Sequence, residues 1–221
     1  MRVVFLGTNG WYDTGTGNTI CTLLDAGPWK IILDAGNGLR RIEEPLGDAR
    51  HPAQLFLSHF HIDHVAGLHI LARFSFPGGL SIRGQPGTAE PLAGFIAAPF
   101  TVPLGNLPFP VTIQDLSEGS HHVPFPVTCR YLPHASPSFG YRFELGGRTI
   151  AYCTDTGPTD AVVELAREAD LLIAESALRP GQGDGGWPHL NPETAISLAR
   201  AAGARRLALT HFDAWAYRTL G

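Results

Sequence analysis

Between Leu55 and His64 the chain reads Leu-Phe-Leu-Ser-His-Phe-His-Ile-Asp-His, so three histidines and an aspartate fall within six positions after an apolar run. His59 and His61 are two apart, and in an extended segment both imidazoles project to one side. Asp63 and His64 come after the chain has turned and can face the same cavity from another direction. Neutral imidazole and carboxylate are the donors that a borderline divalent ion such as zinc takes. Four candidate ligands exceed the two or three that one ion would draw from a single loop, which suggests two ions. A histidine-rich turn in solvent is the bland alternative. It leaves the acidic residue and the preceding strand unexplained.

Two ions need more ligands from elsewhere. His134 follows the apolar run ending Tyr131-Leu132-Pro133, Asp155 follows Ile150–Cys153 in the turn Thr154-Asp155-Thr156-Gly157, and His211 follows Leu207–Thr210. Taken singly, a histidine at a strand end is more often hydrogen-bonded structure than a ligand. Together with the first cluster, four strand-end positions in order point to one sheet edge carrying a metal site.

The elements that must position these groups are legible in outline. Arg2–Leu6 reads as a strand, and Asn18–Leu24 and Trp29–Leu33 as a hairpin around Asp25-Ala26-Gly27-Pro28. The stretch 55–57 is a buried strand and Val65–Leu71 a helix, which puts the histidines on a strand-to-helix turn. Further strands are expected at Leu80–Gly84, Val111–Ile113, Val127–Leu132, Tyr141–Glu144, Thr149–Cys153, Leu171–Ala174 and Arg206–Leu209. Helices are expected at Leu39–Glu44, Thr88–Ala98, Asp160–Glu168 and Pro192–Ala202, the last with Pro at its first turn. Hairpins come first and helices alternate with strands later. That order suits one domain over residues 1–221, an α/β (α+β) αββα sandwich of two mixed β-sheets flanked by helices. Residues 99–110 are uncharged and rich in Pro and apolar side chains, which suits a lid, a contact with a second subunit, or a loop packed on its own core.

Composition narrows the function. A net charge of −4 with no block of Lys or Arg argues against a broad nucleic-acid surface. No run of eighteen apolar residues exists, so no membrane partner is expected. Cys21, Cys129 and Cys153 are an odd set at wide spacing, read as small buried residues in a reducing, cytoplasmic setting.

The motif H-x-H-x-D-H after an apolar strand resembles the metallo-β-lactamase superfamily, and the order of the other groups resembles its ribonuclease Z and phosphodiesterase branch. The likeness covers nearly the whole chain: the metal loop, a histidine before Gly140-Tyr141-Arg142-Phe143-Glu144, the Y-x-x-D-T-G turn and a terminal L-T-H. By that resemblance His59, His61 and His134 would hold one ion, and Asp63, His64 and His211 the second, with Asp155 bridging. Asp34, in a D-x-G turn, would support the metal loop from beneath, unless it forms only a local Asx-turn. Glu175 and His189 match a pair that orients a proton donor near the scissile phosphate, although His189 could also serve only as a cap-region residue before Pro192. His51, His69, His121 and His122 match nothing and are taken as surface or structural.

The implied chemistry is phosphodiester hydrolysis by two divalent cations roughly 3.5–4 Å apart. Asp63 would ligate an ion and accept a proton, and His189, its imidazole fixed by Glu175, would stabilise charge on the phosphoryl group or protonate the leaving group. The histidine count favours zinc, and the carboxylates leave manganese or iron open. Only twenty residues separate His134 from Asp155, where ribonuclease Z carries a long tRNA-gripping arm. That is room for a hairpin and no arm, so a small-molecule or nucleotide phosphodiester is expected as substrate ahead of extended nucleic acid. Two other readings stay open, a ribonuclease Z-like tRNA 3′-end endonuclease and a metal-binding sensor or interaction protein with little turnover. The resemblance also implies another element after His211, where ten residues follow, and a homodimer would cover that edge.

Overall fold

In a computed structural model the described residues are 1–47 and 51–217. By its own contacts the chain divides into two compact units, Met1–Leu116 and Ser117–Gly221.

The first unit is built on β1 (Arg2–Gly7), the two-residue β2 (Asn9–Gly10), β3 (Cys21–Ala26), β4 (Trp29–Leu33), β5 (Ala53–Phe56), β6 (Leu80–Gly84) and β7 (Val111–Asp115). Its six-stranded sheet has the order β1-β3-β4-β5-β6-β7. β1, β3 and β4 pair antiparallel, whereas β5, β6 and β7 run parallel to β4. Central strands such as β5 are buried along their whole length, as strands covered on both faces must be. Leu23, Ile32, Leu55, Leu68 and Ile82 sit in the core of this unit.

The second unit contains β8 (Gly119–His122), β9 (Pro126–Leu132), β10 (Ser138–Leu145), β11 (Arg148–Cys153), β12 (Leu171–Glu175), β13 (Leu207–Thr210) and the two-residue β14 (Phe212–Asp213). Here β8 to β11 form an antiparallel meander, and β12 and β13 run parallel to β11. The parallel strands are reached through α4 (Asp160–Ala166) and α5 (Pro192–Ala202). Thr159 caps α4 through its side chain, and Asn191 caps α5 by accepting from the Thr194 amide. α5 stops at Gly203, whose φ of +66° suits glycine, and it buries Ala195, Ala199 and Ala202 along one face.

The expected α/β class with two mixed sheets is thus observed. Differences are local and have causes. The helix expected at Val65–Leu71 is one turn, α2 (Ile62–Val65), followed by a 3₁₀ segment, Ala66–Arg73. Gly67 lies against the Gly36 carbonyl so closely that a Cβ would sit 2.3 Å from it, and this contact fixes the local path of the chain. The short helix expected at Leu39–Glu44 is a 3₁₀ segment, Asn37–Arg41, followed by the one-turn α1 (Glu43–Leu46), and α3 (Ala89–Phe95) is shorter than the expected Thr88–Ala98. β8 was not expected from sequence, because a polar edge strand such as Gly-Ser-His-His carries no apolar alternation. In the 99–110 stretch Phe109 is buried and Leu104 and Leu107 pack on the core, while Phe100 stays 78% exposed. Those three side chains pack on their own unit, while most of the stretch is exposed.

Candidate metal centre

Sheet topology brings the candidate ligands of each unit to one edge. β4 and β5 are parallel, so Asp34, one residue past β4, and Ser58 and His59, just past β5, leave from the same edge. The Asp34 carboxylate accepts the Ser58 amide at 2.7 Å, the Ser58 hydroxyl at 2.8 Å and His64 Nδ1 at 2.9 Å. It is therefore a support under the histidine turn and not a local Asx-turn. With Nδ1 donating to a carboxylate, His64 keeps Nε2 as its coordinating nitrogen. The Ser58 hydroxyl also lies 3.0 Å from His59 Nδ1, which assigns Nε2 to the same task in His59. Ring centroids of His59 and His64 are 4.1 Å apart, and those of His59 and His61 4.4 Å. His59 and His64 are fully buried and His61 is exposed, so this cluster opens to solvent at His61.

Asp63 lies in the first turn of α2, and its Oδ2 accepts the Trp11 amide at 2.7 Å. Trp11 reaches it from a left-handed conformation, φ +64°. Gly36 lies beneath this turn, where a Cβ would come within 2.1 Å of the Asp63 carbonyl. Only glycine lets the two backbones approach so closely.

In the second unit, β9, β11, β12 and β13 all point the same way, so their C-terminal ends share one edge. His134, Asp155, Glu175 and His211 stand there. Asp155 Oδ1 lies 3.2 Å from His211 Nε2, and Oδ2 lies 3.6 Å from His134 Nε2. One carboxylate thus addresses two imidazoles with separate oxygens. Thr154 Oγ1 donates to Asp155 Oδ1 at 2.8 Å, and the Gly157 amide donates to the Pro133 carbonyl at 3.0 Å, which ties the Asp155 turn to the segment before His134. Donor atoms of Asp155, His189 and His211 all lie within 4.8 Å of one another.

His189 is placed by Glu175. Its Nδ1 sits 2.9 Å from Glu175 Oε1, and the buried carboxylate also accepts the amides of Thr156, Ala177 and Leu190. Asn191, not His189, caps α5. Asp34, Asp155 and His211 have φ of +54°, +50° and +54°. Non-glycine residues held there cost energy, and such strain collects at functional sites.

The donor set suits a divalent cation: imidazoles, of which His59, His64 and His189 have their far nitrogens held by a hydroxyl or a carboxylate, interspersed with carboxylates. Thiolates do not contribute. Burial and the nearby Asp34 charge push the Cys21 thiol well up, burial alone raises Cys153, and burial first raises Cys129, to about 11. All three are free and buried in strands. Arg142 of the Gly-Tyr-Arg-Phe-Glu segment donates to the Leu165 and Arg167 carbonyls at the end of α4, a structural task. Sequence reading did not find Ser58, Thr154 or Trp11. Ser58 and Thr154 adjoin ligand positions, and that adjacency was the available signal. Trp11 acts through its backbone amide, which leaves no trace in residue type.

Residues 23–212 match the model of the beta-lactamase superfamily domain, and the chain belongs to that superfamily. Within it, the chain lies in the ribonuclease Z-like branch. It is 28% identical to a ribonuclease Z of Methanosarcina mazei over 276 aligned positions, covering 96% of this chain and 88% of the relative. Among solved structures, human tRNase Z, short form, superposes with a TM-score of 0.77 at 26% identity, covering 99% of this chain and 94% of that one. The metallo-beta-lactamase fold protein YhfI from Bacillus subtilis gives a TM-score of 0.77 at 22% identity over 96% of this chain and 86% of its own. The fold is thus the metallo-β-lactamase fold, and the chain is a metal-dependent hydrolase. No helix among the described residues is long and apolar enough to cross a membrane.

Proposed function

We propose that this hydrolase cleaves a phosphodiester of small size, using two divalent cations held by His59, His61 and His134 on one side and Asp63, His64 and His211 on the other, with Asp155 between them. The observation that carries the proposal is the Asp155 carboxylate, whose two oxygens face His211 and His134 separately. A carboxylate placed so could serve a cation on either side of it, which a neutral imidazole could not. The imidazole-rich set favours zinc, with manganese or iron compatible with the carboxylates.

When bound, the cations supply an activated water and stabilise charge on the phosphoryl and leaving oxygens. The chain's own groups do the rest. Asp63, held at Oδ2 by the Trp11 amide, takes up the water's proton. His189 has its Nδ1–H held by Glu175, and as an imidazolium it carries a second proton at Nε2 that it can give to the leaving oxygen. Glu175 is the positioning residue for that imidazole.

Small size is supported by the connection between β10 and β11. These strands form a tight hairpin turned by Gly146 and Gly147, in the interval where the family resemblance places the tRNA-gripping arm. The alignment with the Methanosarcina mazei protein spans 276 positions against 221 residues here, so at least 55 positions are filled only in the relative. The names of the relatives favour a second reading, endonucleolytic cleavage of a tRNA precursor. One preparation decides between them. Metal-loaded protein is assayed on bis(p-nitrophenyl) phosphate and on a precursor tRNA, beside Asp63→Ala. Turnover of the small diester alone, lost in Asp63→Ala, supports the proposal. Cleavage of the tRNA at its 3′ end establishes the second reading, and turnover of neither removes both.

A further inference from the structure

The loop between β12 and α5 passes from solvent to the candidate metal centre within a few residues. Residues 181–187 are exposed, Pro188 is half-buried and His189 is buried. The start of the loop is tied to the first turn of α5. Glu193 Oε2 accepts the Gly181 amide at 3.3 Å, and Asn191 Nδ2 donates to the Gln182 carbonyl at 2.8 Å. The chain then turns with glycine at two left-handed positions, φ +57° at Gly185 and +89° at Gly186. Asp184 closes that turn: its carbonyl accepts the Trp187 amide at 2.8 Å, and its Oδ1 accepts the Gly186 amide at 3.1 Å.

Trp187 is where this loop meets the chemistry. Its carbonyl accepts the His189 amide at 2.8 Å, so the chain folds back tightly around Pro188. The Cα atoms of Trp187 and His189 are at most about 7.6 Å apart. Pro188 lies against Gly157, where an added Cβ would come 3.2 Å from the Pro188 Cβ. Gly157 is two residues past Asp155, and its amide donates to the carbonyl of Pro133, next to His134. The turn from Trp187 to His189 is thus packed on the corner that holds Asp155 and His134. Before Trp187 the exposed residues read Gly-Gln-Gly-Asp-Gly-Gly and offer no large apolar surface. The indole does, and it is 61% exposed. A planar apolar ring left in water gains free energy when a second ring or alkyl group covers it.

We propose that Trp187 is a specificity-determining residue that covers the leaving alcohol of the substrate and favours one built on a planar or apolar group over a small polar one. The proposal rests on the reading of His189 as the donor to the leaving oxygen. With that oxygen at the buried imidazole, the rest of the leaving group extends toward solvent, along the turn that carries Trp187.

The test substrate is methyl p-nitrophenyl phosphate, from which p-nitrophenolate departs, so the ring occupies the leaving side. The metal-loaded full chain is compared with Trp187→Ala and Trp187→Phe, and inorganic phosphate is measured as a competitive inhibitor of each. We expect Trp187→Ala to raise KM about three- to tenfold, with a much smaller change in kcat, and Trp187→Phe to restore most of the loss. Inhibition by phosphate, which has no leaving group, should stay the same in all three. Because the indole is exposed, both variants should melt with the wild type. An unchanged KM in Trp187→Ala overturns the proposal. So does an equal weakening of phosphate, which would mean that Trp187 shapes the metal centre and not the leaving-group side. Calorimetric titration with phenyl phosphate and inorganic phosphate separates this idea from the diesterase reading. A preference for phenyl phosphate that disappears in Trp187→Ala, without turnover of the diester, keeps the aryl contact and removes the diesterase reading. Turnover with a KM indifferent to the substitution does the reverse.

Discussion

The two units supply their candidate ligands in opposite ways. In the first, four of them sit within six residues on a single strand-to-helix turn, braced by one carboxylate, Asp34. In the second, His134, Asp155 and His211 leave three different strands, and Glu175 and His189 bracket a loop between a strand and a helix. A contiguous cluster needs only local geometry to converge. A dispersed one converges only if every strand has the right direction and register. The first unit should therefore tolerate changes in its sheet better than in its turn, and the second should be sensitive to both.

The comparison can be broken most forcefully at Asp155. Asp155→Ala removes the one carboxylate that faces both His134 and His211, and we expect diester hydrolysis to fall to background with loss of bound metal, measured by steady-state kinetics and elemental analysis. Retained turnover would mean the second unit's groups are structural. The next largest effect belongs to His189→Ala, with kcat lower by about 10²–10⁴-fold and metal content unchanged, since it is proposed to move a proton and not to hold an ion. Glu175→Gln should reproduce part of that loss and shift the pH profile of kcat, because it perturbs the same imidazole through Nδ1.

In the first unit, Asp34→Asn keeps shape but loses the carboxylate under Ser58 and His64. Metal affinity should drop about 10–100-fold, the usual cost of removing a ligand's outer partner, read by competition with a chelator. An unchanged affinity would show that the turn holds itself.

The smallest effect is expected far from either cluster, at Asp170. The Thr149 amide, then Arg148, hold its carboxyl below the ordinary aspartate range. Its folded value is depressed, so its contribution to stability is present above the unfolded value and is lost as pH falls through the folded one. Asp170→Asn should therefore flatten the acid side of the melting-temperature profile slightly. It should leave diesterase activity unaltered.

Much of this was legible in the sequence, for reasons that differ between the units. Strand ends at Leu33, Gly84, Leu132 and Cys153 follow from apolar runs closed by turn residues, and the Pro192–Ala202 helix from its proline and its spacing. The H-x-H-x-D-H turn is visible because its spacing is its geometry. Asp155 and His211 are visible only as positions after strands, and Glu175 and His189 only through family resemblance. What stayed hidden was carried by backbone groups and close approaches. The Trp11 amide on Asp63, the contact of Gly67 with Gly36, and the polar edge strand Gly119–His122 depend on atoms that every residue has, or on side chains that obey no apolar period.

The most direct test is the number of metal ions per chain in the wild type and in Asp155→Ala, determined together with hydrolysis of bis(p-nitrophenyl) phosphate. Two ions per chain with turnover in the wild type, and loss of both in the variant, is the predicted result. One ion or none in an active wild type, or a variant that keeps two ions and full turnover, would contradict the bridging role of Asp155 and with it the dinuclear account.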